Sequence, residues 1–484
     1  MLKYLTEEEF RRRTSKGART PVFREFLADR ETPVSVLTRV AEGPDSVFLL
    51  ESVYGGERKG RYSFLGLEPA GAIVDDDGSG AADKLREKIL SRPFAPAPEL
   101  PSFQGGAAGF FAYEAVSGFE PRVPRRHEEG TPAASFAVVD TFLVFDAVRE
   151  TVTIAQVTGA DEGGPDCSAY EKAMKRIDDV YARLLSADSI AQYVDKARSE
   201  SHEVSLSDFE PEMTEQEYCD IVLKCKEAIK AGEVIQIVPS QKFTAKTNIS
   251  ALSLYRALRL VNPSPYNFFL RIGAKTLIGS SPEELVRLEK GIASIAPIAG
   301  TRPRGGTAVE DRLLEEDLKS DPKEMAEHMM LVDLARNDLG RIARVGSVRV
   351  EGLAHVERYS HVMHLVTNVF AELDKDNADA CDLFKSAFPA GTLTGAPKIR
   401  AMELLADLEK SPRGVYGGAA GYFSYTGDMD FAIVIRTMVL ENGTLTMRAG
   451  AGIVADSDPR REYQETINKS KAIFEAARFA KELP

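Results

Sequence analysis

The stretch Asp321–Gly340, DPKEMAEHMMLVDLARNDLG, governs the interpretation of the whole sequence. Its apolar residues recur at helical spacing and no Gly or Pro interrupts them, so we predict a helix. Glu324 and Glu327 stand three positions apart and would share one face of that helix. Taken alone, such a pair is more often a solvated helix face than a functional site.

A second acid pair with the same spacing, Glu462 and Glu465, lies near the C-terminus in REYQETINKSK. Four converging carboxylates would repel one another and raise one another's pKa. A hard divalent cation relieves that repulsion, and carboxylate and water oxygens are the ligands that Mg²⁺ prefers. We predict a Mg²⁺ site built from two helices, with two solvated helix faces as the alternative.

Composition restricts the class of protein. The 484 residues are 43% hydrophobic and 28% charged, as in an ordinary soluble globular protein of about two domains. The net charge of −13 argues against a nucleic-acid partner, and no apolar run is long enough to span a bilayer. The N-terminus lacks the apolar core of a signal peptide. The cysteines show neither a metal-binding spacing nor a disulfide framework, which predicts a cytoplasmic protein.

The chain divides at a polar segment. We predict one domain over residues 1–187, a linker over 188–212 and a second domain over 213–484. Thr214 and Glu217 form a capping box that predicts the first helix of the second domain, and a strand is predicted at Val234–Phe243.

An internal echo links the two halves. Gly105–Tyr113 reads GGAAGFFAY and Gly417–Tyr425 reads GGAAGYFSY. Coincidence is one interpretation. The other is a related structural role, in strands whose backbones approach closely.

Ten segments of the second half occur in an order that resembles the chorismate-utilising enzymes, most closely the anthranilate synthase component I family. The segments are GEVIQIVPSQKF, NPSPYNFF, GSSPEEL, PIAGTRPRG, DPKEMAEHMMLVDLARNDLG, YSHVMHLV, FPAGTLTGAPK, GVYGGAAGYFSY, DFAIVIRT and RAGAGIVADSDPRREYQET. With LLES and RYSFLG in the first half, the resemblance covers nearly the whole chain. It implies an α+β fold of two domains, with antiparallel sheets packed in the core and helices outside.

The resemblance also implies how chorismate is bound. Mg²⁺ would lie against the ring carboxylate, held by Glu327 and Glu465 with Glu324 and Glu462 close by. Arg436 and Lys469 would pair with carboxylate oxygens. The other implied substrate contacts are backbone N–H groups and side chains at Gly300, Thr301, Tyr416, Gly450, Ala451 and Gly452.

The implied reaction is that of a lyase in tryptophan biosynthesis: amination at C2 with loss of the C4 hydroxyl, then elimination of pyruvate. Glu283 is the expected general acid and His364 an acid or base for the proton at C2. Thr392 would lie near the departing groups, although a turn hydroxyl is an equal interpretation.

Two positions distinguish branches of the family. Relatives that add water carry Lys at the position of Gln236, and aminodeoxychorismate enzymes carry a nucleophilic Lys at the position of Ala299. A chain with neither lysine is expected to let ammonia attack C2 directly and to release anthranilate. The alternatives are aminodeoxychorismate synthase component I and a non-catalytic tryptophan-binding regulatory subunit.

The resemblance further implies a partner and an inhibitor. The sequence holds no plausible Cys-His-Glu amidotransferase segment, so ammonia is expected from a separate glutamine amidotransferase subunit. Residues 1–187 would then be regulatory, with tryptophan as feedback inhibitor. Its predicted contacts are Glu51, Ser52, Pro265, Tyr266 and Asn267, the last standing where the family often has methionine.

Overall fold

A computed structural model of the protein describes residues 2–40, 46–52, 60–127, 130–159, 167–185, 208–359 and 362–483. Among these residues the α-helices, in chain order, are α1 (Glu7–Thr14), α2 (Pro33–Val40), α3 (Ala81–Leu85), α4 (Val116–Phe119), α5 (Cys167–Leu185), α6 (Glu215–Lys230), α7 (Ala251–Val261), α8 (Ala308–Ser320), α9 (Pro322–Gly340), α10 (Ala380–Ala387), α11 (Gly391–Thr394), α12 (Lys398–Leu408) and α13 (Pro459–Ala480). None of these helices is long and apolar enough to cross a membrane.

The strands, in chain order, are β1 (Arg19–Leu27), β2 (Ser46–Glu51), β3 (Tyr62–Leu67), β4 (Gly71–Asp75), β5 (Gly106–Phe111), β6 (Ala134–Val139), β7 (Thr141–Asp146), β8 (Thr151–Gly159), β9 (Glu210–Pro211), β10 (Gln236–Ile237), β11 (Ser240–Lys246), β12 (Tyr266–Ile272), β13 (Lys275–Ser281), β14 (Glu284–Glu289), β15 (Ile292–Ile295), β16 (Ile298–Pro303), β17 (Arg349–Arg358), β18 (Val362–Glu372), β19 (Gly395–Ala396), β20 (Ala419–Ser424), β21 (Met429–Ile433), β22 (Thr437–Glu441) and β23 (Thr444–Gly450).

Two large antiparallel sheets organise the chain. An 11-stranded sheet has the order β1-β8-β7-β3-β2-β12-β13-β22-β23-β11-β9. A 10-stranded sheet has the order β16-β18-β15-β14-β21-β20-β5-β6-β4, with β17 beside β18. The predicted α+β class with antiparallel sheets is confirmed.

Both sheets combine strands from the two halves of the chain. β2 pairs with β12 in the larger sheet and β5 pairs with β20 in the smaller one, and one hydrophobic core holds residues of both halves. Each half thereby covers a sheet edge that the other would leave unpaired. The domain division at 187 and 213 stays a prediction, and residues 188–207 of the predicted linker lie outside the described residues.

The echoed segments are neighbours in the smaller sheet. β5 and β20 pair antiparallel with Gly109 directly opposite Gly421, so the two segments are related by a local two-fold axis at this pair. A Cβ at Gly109 would lie 2.1 Å from the carbonyl oxygen of Ser135, and one at Gly421 would lie 2.0 Å from that of Asp430. Both glycines are therefore required by close backbone approach, in agreement with the second of the two interpretations of the echo.

The helices that carry the acid pairs begin at aspartate caps. In α9 the Asp321 side chain accepts from the backbone N–H groups of Lys323 and Glu324, and in α13 Asp458 accepts from that of Arg461. Such caps satisfy N–H groups that have no partner within the helix. The predicted helix over the opening stretch is confirmed, as is the capping box at Thr214 that begins α6.

The single strand predicted at Val234–Phe243 is wrong. Two strands, β10 and β11, occupy this region, and they belong to different sheets. Pro239 lies between them and has no N–H to continue a ladder. Its carbonyl oxygen instead accepts from the backbone N–H of Ala451, 3.2 Å away.

A buried charge network is centred on Arg413 and Glu409. The side chains of Arg413 and Glu409 are 1% and 3% exposed and approach to 2.8 Å. Arg413 also donates to the carbonyl oxygens of Leu393 and Val238, each at 2.7 Å. These bonds hold together the segments next to Thr392 and Gln236, which both belong to the predicted site.

Candidate active site

The candidate site lies where the chain passes from one sheet to the other. β13 and β14 belong to different sheets, and Glu283 lies in the short segment between them. β21 and β22 also belong to different sheets, and Arg436 lies in the segment that joins them. Arg436 has a φ of +48°, in the left-handed region that non-glycine residues rarely adopt. Strained backbone of this kind is concentrated at functional sites.

Glu283 has an unusual acidity. Burial raises its pKa to about 7, and the neighbouring Thr392 hydroxyl and the positive charges of Lys469 and Arg436 oppose that rise only in part. The buried Thr392 hydroxyl has no hydrogen-bond partner of normal geometry among the described residues. A carboxyl group with this pKa is protonated in a large fraction of molecules at neutral pH, which suits a general acid.

His364 is held in one tautomer. Its Nδ1 lies 2.8 Å from the carbonyl oxygen of Gly300 and 3.2 Å from the hydroxyl oxygen of Thr301. Because a carbonyl oxygen can only accept, Nδ1 carries the proton and Nε2 is the acceptor. Burial lowers the pKa of His364, and the charge of Arg436 lowers it further, so the ring is neutral and Nε2 can take up a proton.

All four predicted metal ligands have protein partners, that of Glu462 being the Ser457 hydroxyl. Glu327 Oε1 accepts from Gln236 Nε2 at 3.0 Å, Glu465 pairs with Lys469 at 2.8 Å, and Glu324 pairs with Arg302 at 3.3 Å.

Glu462 has a raised pKa. Burial raises its pKa, the Ser457 hydroxyl opposes that rise, and the negative charge of Glu465 adds to it. The positive charges of Lys469 and, more weakly, of Lys323 on α9 oppose the rise as well.

The described residues contain no group of three or more His, Cys, Asp or Glu side chains arranged to hold a metal ion. The Mg²⁺ site therefore stays a prediction. The donor chemistry fits that ion, because all four side chains are carboxylates and the raised pKa of Glu462 marks a place where a positive charge would be favourable.

The segment Gly450–Gly452 lies against Gln236 and Tyr416. The N–H of Gly450 bonds to the Tyr416 hydroxyl and that of Ala451 to Pro239, so two of the three predicted N–H donors are engaged within the protein. A Cβ at Gly452 would lie 2.9 Å from Gln236 Nε2, so a larger residue here would displace the Gln236 amide. Lys469 Nζ donates to the Gly450 carbonyl oxygen at 3.0 Å, which joins this segment to α13.

A small cavity of about 40 Å³ adjoins Glu283 and Thr392. Leu331, Leu334 and Ile433 are among the side chains that make its wall largely apolar. A cavity of this volume has room for a molecule about the size of water or ammonia.

The predicted inhibitor contacts meet at the pair β2–β12. Glu51 lies directly opposite Asn267 in the ladder. Burial raises the pKa of Glu51, while Arg259, at 3.2 Å, and the Tyr255 hydroxyl stabilise its charge. Glu51 therefore already has a cationic partner. Asn267 Oδ1 is buried without a hydrogen-bond partner among the described residues, and this acceptor could bind an ammonium group.

Tyr266 joins this region to the candidate site. Its hydroxyl donates to Glu284 Oε2 at 2.9 Å, and Glu284 directly follows Glu283. In the ladder Tyr266 lies opposite Ser281, two positions before Glu283.

Sequence reasoning missed three side chains of the site. Arg302 binds Glu324, and Asn262 accepts from Arg436 at 3.2 Å. Arg413 binds the backbone on both sides of the site. All three lie within or beside the quoted segments, but nothing in their spacing indicates which partner each one finds.

Comparison with known proteins agrees with this geometry. The model of the chorismate binding enzyme family matches residues 45–475. The chain belongs to this family. Anthranilate synthase component 1 from Acetivibrio thermocellus is 42% identical over 96% of both chains, and the one from Pseudomonas aeruginosa is 41% identical over 99% of both. The chain is thus a chorismate-binding enzyme of the anthranilate synthase component I type.

Two solved structures resemble this chorismate-binding enzyme. Anthranilate synthase component I from Streptococcus pneumoniae superposes with a TM-score of 0.74 at 37% identity, covering 87% of this chain and 95% of that one. The menaquinone-specific isochorismate synthase from Escherichia coli superposes with a TM-score of 0.70 at 20% identity, covering 97% and 98%. At that identity the second comparison supports the fold alone.

Proposed function

We propose that the chain converts chorismate and ammonia to anthranilate and pyruvate. The observation that carries this proposal is the absence of a lysine at two positions that border the site. Gln236 and Ala299 are both buried and uncharged, so one offers no base to activate water and the other no nucleophile to form an adduct. The names of the relatives support the same reaction.

Each side chain of the site has a separate role in binding or in proton transfer. Arg436 and Lys469 bind carboxylate oxygens of chorismate. Glu283 in its protonated form gives its proton to the C4 hydroxyl as water leaves, while ammonia bonds to C2 and the ring double bonds shift. Nε2 of His364 then accepts the proton from C2. The bond between C3 and its oxygen breaks with the electron pair left on oxygen, and the departing enolate becomes pyruvate when its terminal carbon takes up the proton held by His364. The ammonium group formed at C2 returns one proton to the Glu283 carboxylate, so both side chains regain their starting states.

Glu327, Glu465, Glu324 and Glu462 would hold Mg²⁺. The ion when bound supplies positive charge to the substrate carboxylate, which would otherwise face four acids.

Ammonia would come from a glutamine amidotransferase subunit, since the chain carries no plausible glutaminase segment. The cavity of about 40 Å³ beside Glu283 and Thr392 has room for a nucleophile as small as ammonia. A cytoplasmic location suits this role in tryptophan biosynthesis and stays a prediction.

Incubation with chorismate and ammonium at alkaline pH tests the proposal. We expect anthranilate fluorescence and stoichiometric pyruvate with Mg²⁺, and loss of both after chelation. Restoring Mg²⁺ should restore activity, because the acid cluster then regains its counter-ion.

Glu327→Gln and Glu465→Gln should each raise the apparent dissociation constant of Mg²⁺ about 10–100-fold, the range seen when a metal site loses a supporting group. Calorimetric titration of Mg²⁺ measures it.

The products identify the alternatives. An amine that retains the enolpyruvyl ether, with no pyruvate released, would indicate aminodeoxychorismate synthase component I. No turnover at any Mg²⁺ or ammonium concentration would indicate a non-catalytic regulatory subunit and overturn the proposal.

Tryptophan is proposed to bind against the residues at the paired ends of β2 and β12, between the two predicted domains, and to favour an arrangement that binds chorismate poorly. The contact of Tyr266 with Glu284, beside Glu283, supports such coupling. Saturating tryptophan should raise the KM for chorismate about 5–150-fold, the usual range for coupled sites.

Ser52→Ala should raise the tryptophan concentration needed for half-inhibition about fivefold, since one hydrogen bond is lost. Ser320→Ala, on the exposed end of α8, is the control. A KM that ignores tryptophan contradicts the proposal.

A further inference from the structure

A second cavity, of about 290 Å³, adjoins the small cavity of the candidate active site, and we call it the outer cavity. The two cavities take neighbouring residues of one segment: Ser386 and Phe388 line the outer cavity, and Ala387 lines the small one. They also share the end of α9, since Asp338 lines the small cavity and Arg341, three positions later, lines the outer one. The two cavities therefore lie on either side of one wall.

The outer cavity extends from the surface into the protein. Arg341 in its lining is exposed, whereas Phe388 and Met402 are buried. Lys385 is half-buried, and its ammonium nitrogen lies 5.7 Å from the centre of the Phe119 ring. A small solute can therefore enter this cavity from solvent and approach the wall that separates it from the small cavity.

An ion pair forms part of that wall. Lys398 lines the outer cavity and Asp338 the small one, and Lys398 Nζ donates to Asp338 Oδ2 at 2.8 Å. The same Nζ donates to the carbonyl oxygen of Ala387 at 3.1 Å. Burial raises the pKa of Asp338, and Lys398 opposes that rise through its charge and its hydrogen bond. Lys398 thus connects the two cavities through polar groups that a small molecule can contact.

These groups can distinguish ammonia from ammonium. A lysine ammonium has three N–H donors, and Lys398 uses two of them on Asp338 and Ala387, so one is left for a small acceptor. Ammonia has a lone pair that accepts such a bond, whereas ammonium has none and is repelled by the charge of Lys398. Beyond the pair, the largely apolar wall of the small cavity disfavours an ion, because an unpaired buried charge is costly.

We propose that ammonia enters through the outer cavity and that Lys398 and Asp338 form a gate that passes it, as the neutral molecule, to the small cavity beside Glu283. This inference rests on the proposed function, in which ammonia is the nucleophile. Arg436 and Lys469, which are proposed to bind the chorismate carboxylates, line neither cavity. Ammonia and chorismate therefore reach the site by separate entrances, and the gate affects the binding of ammonia alone.

Steady-state kinetics of the full chain with ammonium salts test this route, at fixed pH and saturating chorismate. Lys398→Met should raise the KM for free ammonia about fivefold, since one hydrogen bond is lost. The kcat at saturating ammonia and the KM for chorismate should not change. The double variant Asp338→Asn/Lys398→Met should give the same shift, and it leaves no uncompensated buried carboxylate that could prevent folding. Arg400→Met removes a more exposed positive charge from the same helix, α12, and should change neither KM.

A further variant narrows the passage without a change of charge. Ala335 is buried on α9 and lines the small cavity, so Ala335→Val should also raise the KM for ammonia. If that KM were unchanged in both Lys398→Met and Ala335→Val, ammonia would enter beside chorismate and the route would be overturned. A parallel rise of both KM values would indicate damage to the whole site and would overturn it as well. Failure of the proposed function is distinguishable, because the unaltered chain would then form no anthranilate and the route would fall with it.

Discussion

Glu283→Gln lowers kcat about 10²–10⁴-fold, the contribution usual for a positioned general acid. The amide occupies the same space but has no proton of suitable acidity to give to the departing hydroxyl. KM for chorismate should change little, because Arg436 and Lys469 hold the carboxylates. Steady-state kinetics at saturating ammonium measure both constants. Glu289→Gln, on β14 of the same region and paired with Arg287, is the matched control.

The pH profile provides an independent readout. Burial raises the pKa of Glu283 to about 7, and the acid acts only when protonated. At a fixed concentration of free ammonia, kcat/KM should therefore fall as the pH rises through about 7, and Glu283→Gln should abolish that fall. Ammonia must be held constant because its free fraction rises with pH. An unchanged alkaline limb in the variant would assign the proton donor to another group.

Arg413→Met lowers the free energy of unfolding by about 3–5 kcal/mol, the cost of leaving one partner of a buried ion pair uncompensated. Glu409 would remain enclosed, with Arg448 at 3.6 Å as its remaining cation. Two carbonyl oxygens, of Leu393 and Val238, would also lose their donor. Urea denaturation followed by circular dichroism measures the change.

Two controls isolate the buried pair. Arg478→Met removes an exposed arginine from its pair with Glu475 and should change the free energy of unfolding little. Adding Glu409→Gln to Arg413→Met removes the uncompensated charge and should recover part of the lost stability. If Arg413→Met were no more destabilising than Arg478→Met, the network would have no structural role.

The network also bears on activity. Arg413 bonds to the backbone beside Thr392 and near Gln236. A folded Arg413 variant should therefore lose activity without any change in the groups that contact substrate.

Local features of the sequence were sufficient for the helices that carry the acids. Asp321 and Asp458 cap the N-termini of these helices, and each cap needs only residues that are close in sequence. The echoed glycines lie in strands with close backbone approach, which was one of the two interpretations of the echo. The motifs also identify the family. The prediction of a single strand across Pro239 was wrong, because proline has no backbone N–H to continue the hydrogen-bonded ladder of a strand.

The sequence by itself determined the fold family, the helices with their caps and the identity of the groups available for chemistry, because spacing and side-chain type act over a few residues. Only the tertiary structure decided that both halves share two sheets and that β5 lies beside β20. It also decided that burial brings the pKa of Glu283 to about 7 and that Asn267 and Arg448 are left with unpaired buried atoms. Desolvation and hydrogen-bond pairing depend on which distant segments enclose a group, and no local pattern encodes that arrangement.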